Sequence, residues 1–159
     1  MPKTRIPIAG DHASPALKAK LISLLPEYDW EDLGTHSSVE SVDYPDYASL
    51  VARRVSSGSV SRGILICGSG IGVCIAANKF PGVRASMVES TEAAKLSREH
   101  NDANILCLGA RLLTEEKALE ITRVWLETPF SNGPRHSTRI EKIKKLETEI
   151  KSEFEKRKP

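Results

Sequence analysis

A cysteine followed by three closely spaced glycines has the residue types and spacing to bind an anion beside a reactive sulfur. In the stretch LICGSGIGVCIAANK, residues 65–79, Cys67 precedes glycines at 68, 70 and 72. Glycines at the end of a strand usually direct backbone N–H groups at an anion. The start of a helix also favours the thiolate form of a nearby cysteine. Position alone gives equal weight to an inert, buried Cys67. The candidate site comprises Cys67, Gly68, Ser69, Gly70, Ile71 and Gly72.

Several familiar anion-binding motifs do not fit this stretch. The dinucleotide pattern G-x-G-x-x-G needs glycine at position 73, where Val73 stands, although Glu89 lies at about the distance of a ribose-binding acid. No G-K-[ST] follows, which excludes a P-loop. A phosphatase of the C-x5-R type would also need arginine at position 73.

Further polar residues supply the groups that a reaction on a phosphorylated substrate would need. Asp11 and His12 follow the first apolar run, and SREHNDAN at 97–104 contains His100 and Asn101. Arg135 and Arg139 are four residues apart, so on a helix they share a face that suits a phosphate dianion. For any single arginine, a surface charge is the simpler interpretation. A thiolate, an oxyanion site, a histidine and a phosphate grip together predict proton abstraction next to a carbonyl.

Alternating apolar runs and amphipathic stretches predict the elements that position these residues. We expect an α/β fold, a three-layer, Rossmann-like, doubly wound sheet of five parallel strands at 5–9, 30–33, 63–67, 83–88 and 105–108. Intervening helices are predicted from Pro15, with apolar positions over 17–25, and at 44–57, 70–79, 90–100 and 114–127, with Ser14, Asp43 and Ser90 as N-caps. Ligands bind beyond the carboxyl ends of such strands. We therefore expect Asp11, His12, residues 67–72 and residues 100–104 at one edge.

The C-terminal part continues the same single domain, residues 1–159, as a bridge and a charged helix. The segment FSNGPRHSTR is rich in turn residues, and the predicted helix spans 140–158. Its apolar stripe of Ile143, Leu146 and Ile150 needs a partner surface. It could pack on its own domain or on a second subunit, and we expect the second.

Composition excludes several classes of function. The net charge is only +2 and aromatic residues are 5%, which gives no support to nucleic-acid or membrane binding. There is no apolar run long enough to span a bilayer and no secretory signal. Three cysteines without a C-x-x-C pair, and four scattered histidines, predict free thiols, a cytoplasmic location and no metal site. Cys74 and Cys107 are expected to have no chemical role.

Five motifs resemble the type B ribose-5-phosphate isomerases, in the family's order over residues 5 to about 150. They are GDHA at 10–13, DYPDYA at 43–48, ICGSGIGVCIAANKFPGVRA at 66–85, SREHNDANILCLGAR at 97–111 and RHSTRIEKI at 135–143. Galactose-6-phosphate isomerase subunits belong to the same superfamily.

The resemblance implies a function for each candidate residue. The reaction would interconvert D-ribose 5-phosphate and D-ribulose 5-phosphate without metal or cofactor. Cys67 would be the base, the N–H groups of 68–72 would hold the enediolate, and His100 would open the sugar ring as an acid. Asp11, His12 and Asn101 would contact sugar hydroxyls, and phosphate would bind Arg111, Arg135, His136 and Arg139. The resemblance also implies a homodimer or tetramer with sites built from two chains, in which His100, Asn101 and Arg111 face a partner's Cys67.

Two departures from the family pattern bear on this expectation. Some relatives replace the cysteine and use a glutamate on the following helix, but VCIAANK has no glutamate, which favours Cys67. Thr138 stands where the family often has a further arginine. The alternatives are an isomerase of a six-carbon sugar phosphate, such as allose or galactose 6-phosphate, and a non-catalytic sugar-phosphate binding protein. The presence of both Cys67 and His100 speaks against the last.

Overall fold

The computed structural model describes residues 3–157, and within them five strands alternate with helices. The strands are β1 Arg5–Gly10, β2 Asp29–Asp32, β3 Gly63–Cys67, β4 Ala85–Met87 and β5 Ile105–Gly109. The helices are α1 Pro15–Leu24, α2 Tyr44–Ser56, α3 Ile71–Ala77, α4 Thr91–Asn101, α5 Glu115–Glu127 and α6 Pro134–Lys156.

The strands form one parallel sheet in the order β2-β1-β3-β5-β4. Every residue of β3 and β5 is buried, as expected for central strands covered by helices on both faces. The predicted doubly wound, three-layer fold is therefore confirmed.

Alternation along β3 sends side chains to two separate cores. Ile64 and Ile66 belong to the core under α1, α4 and α5, where Trp125 is fully buried. Leu65 and Cys67 belong to the core under α2 and α3. Cys67 thus lies at the carboxyl end of the sheet, on the face that α2 and α3 cover.

Several predicted boundaries and caps were wrong. β4 is three residues long rather than six, and the Val83 amide instead closes a turn on Phe80 O. α3 spans only 71–77 rather than 70–79. Ser90 caps α4 by accepting from Ala93 N, but the side chains of Ser14 and Asp43 make no cap hydrogen bond.

α6 begins at Pro134 instead of at residue 140 and ends at Lys156, and residue 158 of the predicted helix lies outside the described part. Ile140 is buried against the domain, whereas an apolar stripe further along α6 is exposed: Ile143, Leu146, Ile150 and Phe154. Nothing within residues 3–157 covers this stripe. Across the same residues, no helix has both the length and the apolar character for crossing a bilayer.

Candidate active site

The sulfur of Cys67 accepts a hydrogen bond from the loop that follows it. The Gly70 amide donates to Cys67 Sγ at 3.2 Å. Gly70 has a φ of 78°, and a Cβ there would lie 2.9 Å from the Leu108 carbonyl carbon. Both its conformation and its close approach to β5 thus require glycine. This geometry brings a backbone N–H to the sulfur at the edge of the cavity.

Cys67 lines a cavity of about 370 Å³ at the carboxyl edge of the sheet, although only 4% of the residue is exposed. The lining is Asp11, Tyr44, Cys67, Gly68, Ser69, Gly72, Arg111 and Leu112. Tyr44 is not among the site residues predicted from the sequence. A Cβ on Gly72 would lie 2.7 Å from the Tyr44 ring, so glycine at position 72 allows the ring to pack against the loop. The position of Tyr44 at the start of a helix, in DYPDYA, is the only signal the sequence offers.

Asp11 and His12 are held by hydrogen bonds just beyond β1. Asp11 is buried, and its Oδ1 accepts from Ala13 N at 3.0 Å. Ser14 Oγ donates to the Asp11 carbonyl instead of capping α1. His12 Nδ1 accepts from Val42 N at 3.3 Å, so a neutral His12 carries its proton on Nε2. Asp11 reaches the cavity, and His12 lies next to it in sequence.

Arg111 belongs to the Cys67 edge of its own chain. Its backbone N–H donates to Gly68 O at 2.9 Å. One guanidinium nitrogen lies 3.1 Å from where a Cβ of Gly68 would stand. The expectation that Arg111 joins His100 across from Cys67 was therefore wrong, because β5 ends beside β3 at the same edge.

His100 and Asn101 lie at the opposite edge of the sheet, which corrects the prediction of a single edge. α4 runs back against the strands, and Asn104 O accepts from Gly63 N at the start of β3. The length of β3 puts roughly 13 Å between this edge and Cys67. One chain therefore does not bring His100 to Cys67.

A second cluster of candidate residues surrounds His100. Its ring stacks on His136, with centroids 4.2 Å apart and planes 12° from parallel. The pKa of His136 is lowered from its ordinary value, first by desolvation and then by the charges of His100, Arg135 and Arg139. Because α6 starts at Pro134, its first turns place Arg135, His136 and Arg139 beside the end of α4.

Asn101 is exposed and lines a separate groove of about 440 Å³. The groove runs between the β4 edge and α6, and its lining includes Arg84, Ile143, Leu146 and Ile150. The exposed apolar stripe of α6 is thus continuous with the cluster around His100.

The other two cysteines differ sharply from each other. Burial raises the pKa of Cys107 well above its ordinary value. The pKa of Cys74 is lowered to about 7, chiefly because the Cys107 thiol donates a hydrogen bond to it. All three cysteines are free thiols, as predicted.

Two further possibilities for a site receive no support. Among the described residues, no group of three or more histidine, cysteine, aspartate or glutamate side chains is arranged to hold a metal ion. A larger depression of about 520 Å³ lies at the end of α2. Its arginines are already engaged, Arg54 with Glu31 at 2.9 Å and Arg53 over the Phe80 ring at 5.3 Å.

Comparison with known proteins agrees with the fold and the motifs. The family model described as ribose/galactose isomerase matches residues 6–143. Ribose-5-phosphate isomerase B of Escherichia coli is 45% identical over 145 residues, which are 90% of this chain and 96% of that protein.

Solved structures give the same relationship. Ribose-5-phosphate isomerase B of Clostridium thermocellum has a TM-score of 0.88 at 46% identity, over 92% of this chain and 99% of that one. The enzyme of Mycoplasma genitalium, solved with bound ribulose-5-phosphate, has a TM-score of 0.87 at 42% identity, over 92% and 97% of the two chains. This chain therefore belongs to the ribose/galactose isomerase family.

Proposed function

We propose that this protein is an aldose–ketose isomerase that interconverts D-ribose 5-phosphate and D-ribulose 5-phosphate without a cofactor. The observation that carries the proposal is Cys67, whose sulfur accepts the Gly70 N–H and lines a cavity with Asp11 and Arg111. Family membership and the solved relative with bound ribulose-5-phosphate support the substrate class.

In the proposed mechanism, the Cys67 thiolate removes the proton from C2 of the open-chain aldose. The C2–H electron pair then forms the enediolate, whose oxygen accepts hydrogen bonds from the loop amides of residues 68–72. Return of the proton from Cys67 to C1, together with transfer of the C2 hydroxyl proton to O1, gives the ketose. Asp11, His12 and Asn101 bind the sugar hydroxyls, and His100 donates a proton to the ring oxygen of the furanose before isomerisation.

We infer that each active site is composed from two chains of a homodimer. Cys67 and Arg111 lie at one edge of a chain, whereas His100, His136, Arg135 and Arg139 lie at the other. Arg111, Arg135 and Arg139 meet a single phosphate only if two chains contribute them. The exposed stripe of α6, which borders the His100 cluster, would be covered by the same partner.

A second candidate is the isomerisation of a six-carbon sugar phosphate by the same mechanism. The observation that favours it is the family description, which names galactose as well as ribose. Turnover of five-carbon and six-carbon sugar phosphates in the same assay distinguishes the two candidate functions.

The test is turnover of ribose 5-phosphate, allose 6-phosphate and galactose 6-phosphate by the purified protein in EDTA. We expect ribose 5-phosphate to have the highest kcat/KM. Cys67→Ser should lower kcat by about 10²–10⁴-fold, since a general base is lost, while changing KM little. Cys74→Ser is the matched control, since Cys74 does not line the cavity, and should keep turnover. Turnover retained by Cys67→Ser would exclude Cys67 as the base, and the absence of turnover by the unmodified protein on all three sugars would exclude the proposed function.

A further inference from the structure

The segment between α4 and β5 is held by an unusually dense set of side-chain contacts. Asp102 follows α4 with a φ of 45°, a left-handed conformation that helices most often reach with glycine at this position. Aspartate is one of the few other residues that adopt it, through hydrogen bonds of its short side chain. Here two arginines bind that side chain.

Arg98 is the first of these arginines and is only 3% exposed. Its guanidinium donates to Asp102 Oδ1 at 2.8 Å and to Ala103 O at 2.6 Å. Its Nε donates to Thr128 O at 3.1 Å, at the end of α5. A buried guanidinium needs a counter-charge, and Asp102 supplies it. Arg98 thereby joins α4, the segment after it and the bridge that leads to α6.

Arg84 holds the same segment from the β4 side. Its Nε donates to Asn101 O at 3.0 Å and to Asp102 O at 3.1 Å. Its Nη2 donates to Asp102 O at 2.9 Å and to Asp102 Oδ2 at 3.2 Å. The two carboxylate oxygens of Asp102 are therefore divided between two arginines, and the backbone of Asn101 is fixed directly.

These contacts also fix the end of α4 relative to α6. Ser131, in the bridge before α6, donates to Glu99 O through its backbone N–H at 3.3 Å and through Oγ at 2.6 Å. His100 is the next residue, and its ring stacks on His136 of α6. The position of the His100 ring thus depends on the network on both sides of it.

We propose that Asp102, Arg84 and Arg98 form a positioning device that presents His100 and Asn101 to the substrate. The inference rests on the proposed function, because it assigns the network a purpose only if His100 acts on the sugar ring. None of the three is a catalytic residue in this proposal, since each acts through His100 or Asn101. The network replaces a simple helix ending with one whose geometry is set by two guanidinium groups.

The test compares two reactions of the same protein. Net conversion of ribose 5-phosphate needs ring opening, whereas deuterium uptake at C1 of ribulose 5-phosphate needs only the base and the enediolate, because the ketose has no free C5 hydroxyl with which to close a furanose ring. Asp102→Asn is the variant of choice, because asparagine tolerates a positive φ but carries no charge. We expect net conversion to fall on the order of 10–100-fold through misplacement of His100, with deuterium uptake at saturating ketose close to that of the unmodified protein.

Matched variants separate positioning from stability. His100→Asn should show the same split, and adding Asp102→Asn to it should cause no further loss, because both changes act through one group. Arg62→Lys is the control, since Arg62 lies at the same edge, over Trp125, and bonds Leu126 O rather than the segment after α4. It should leave the ratio of the two rates unchanged.

The outcomes distinguish this proposal from the proposed function. Equal losses of conversion and deuterium uptake in Asp102→Asn, or losses that add to those of His100→Asn, would overturn the positioning role. If the unmodified protein showed neither reaction, the proposed function itself would fail. Should Asp102→Asn not fold, Arg84→Gln tests the same split, because it removes the Arg84 contacts to Asp102 Oδ2 and to the Asn101 and Asp102 carbonyls and leaves the buried Arg98–Asp102 pair in place.

Discussion

At the scale of single residues, the three cysteines show that the same thiol has different surroundings at different places in the fold. Cys67 accepts a backbone N–H at the cavity, Cys107 is fully buried between helices and sheet, and Cys74 is half-buried on α3. The lowered pKa of Cys74 depends on the Cys107 thiol that donates to it across the α3–β5 packing. No sequence spacing reveals such a contact. That neither residue has a chemical role in the reaction stays a prediction.

The acidity of Cys74 can be measured by alkylation. Only the thiolate reacts, so the iodoacetamide rate at Cys74, followed by peptide mass spectrometry, should reach half its plateau near pH 7. Cys107→Ala removes the donor and should move this midpoint upward, toward the ordinary value of 9.0. A midpoint already near 9 in the unmodified protein would mean that the thiol–thiol hydrogen bond does not form in solution.

At the scale of elements, the sequence predicted the strands well and the helix-to-strand connections poorly. β3 and β5 are uninterrupted apolar runs, a pattern typical of central parallel strands, and their ends position Cys67 and Arg111. His100 lies in the last turn of α4 instead of after a strand, so it lies at the amino edge, a consequence of topology that motif content does not reveal. α6 starts early because Pro134 fits a first helical turn despite its turn-rich neighbours.

The loop from β3 to α3 gives a prediction at this scale. Gly70→Ala should destabilise the protein by about 1 kcal/mol for the left-handed φ alone, and by more because its Cβ would meet the Leu108 backbone. The loop must then shift, so turnover should fall as well. Gly58→Ala is the matched control, with a φ of 76° and nothing within 4 Å of its Cβ. For Gly58→Ala, thermal unfolding should show only the conformational cost, and kcat should not fall. An equal loss of stability and of kcat in both variants would exclude the role of close packing against β5.

At the scale of the whole molecule, the candidate residues divide between two edges of one sheet. The Cys67 cavity is at the carboxyl edge, and the stacked His100 and His136 are at the amino edge. Sequence motifs name both halves but carry no information on how far apart the fold puts them. A site built from two chains would bring Cys67 and His100 together. Such a site predicts a result that a site within one chain does not.

Two inactive variants should restore activity to each other. In a heterodimer of Cys67→Ser and His100→Asn chains, one composite site carries both changes and the other carries neither. Co-expression with two different affinity tags allows this heterodimer to be isolated. Its specific activity should be about half that of the unmodified protein, because one of its two composite sites would be intact. Activity no higher than that of either parent would mean that each site lies within one chain.

Substitutions on the exposed stripe of α6 test whether recovery of activity in the heterodimer requires contact between this stripe and the partner chain. Leu146 is 54% exposed on the stripe, whereas Val39 is 94% exposed in the connection between β2 and α2. Leu146→Glu in both chains should prevent heterodimer formation and recovery, since it would bury an unpaired charge against the partner. Val39→Glu adds the same charge away from the stripe and should leave recovery unchanged. Recovery that survives Leu146→Glu would separate the two ideas, because sites would still be shared between chains while α6 lay outside the surface that joins them.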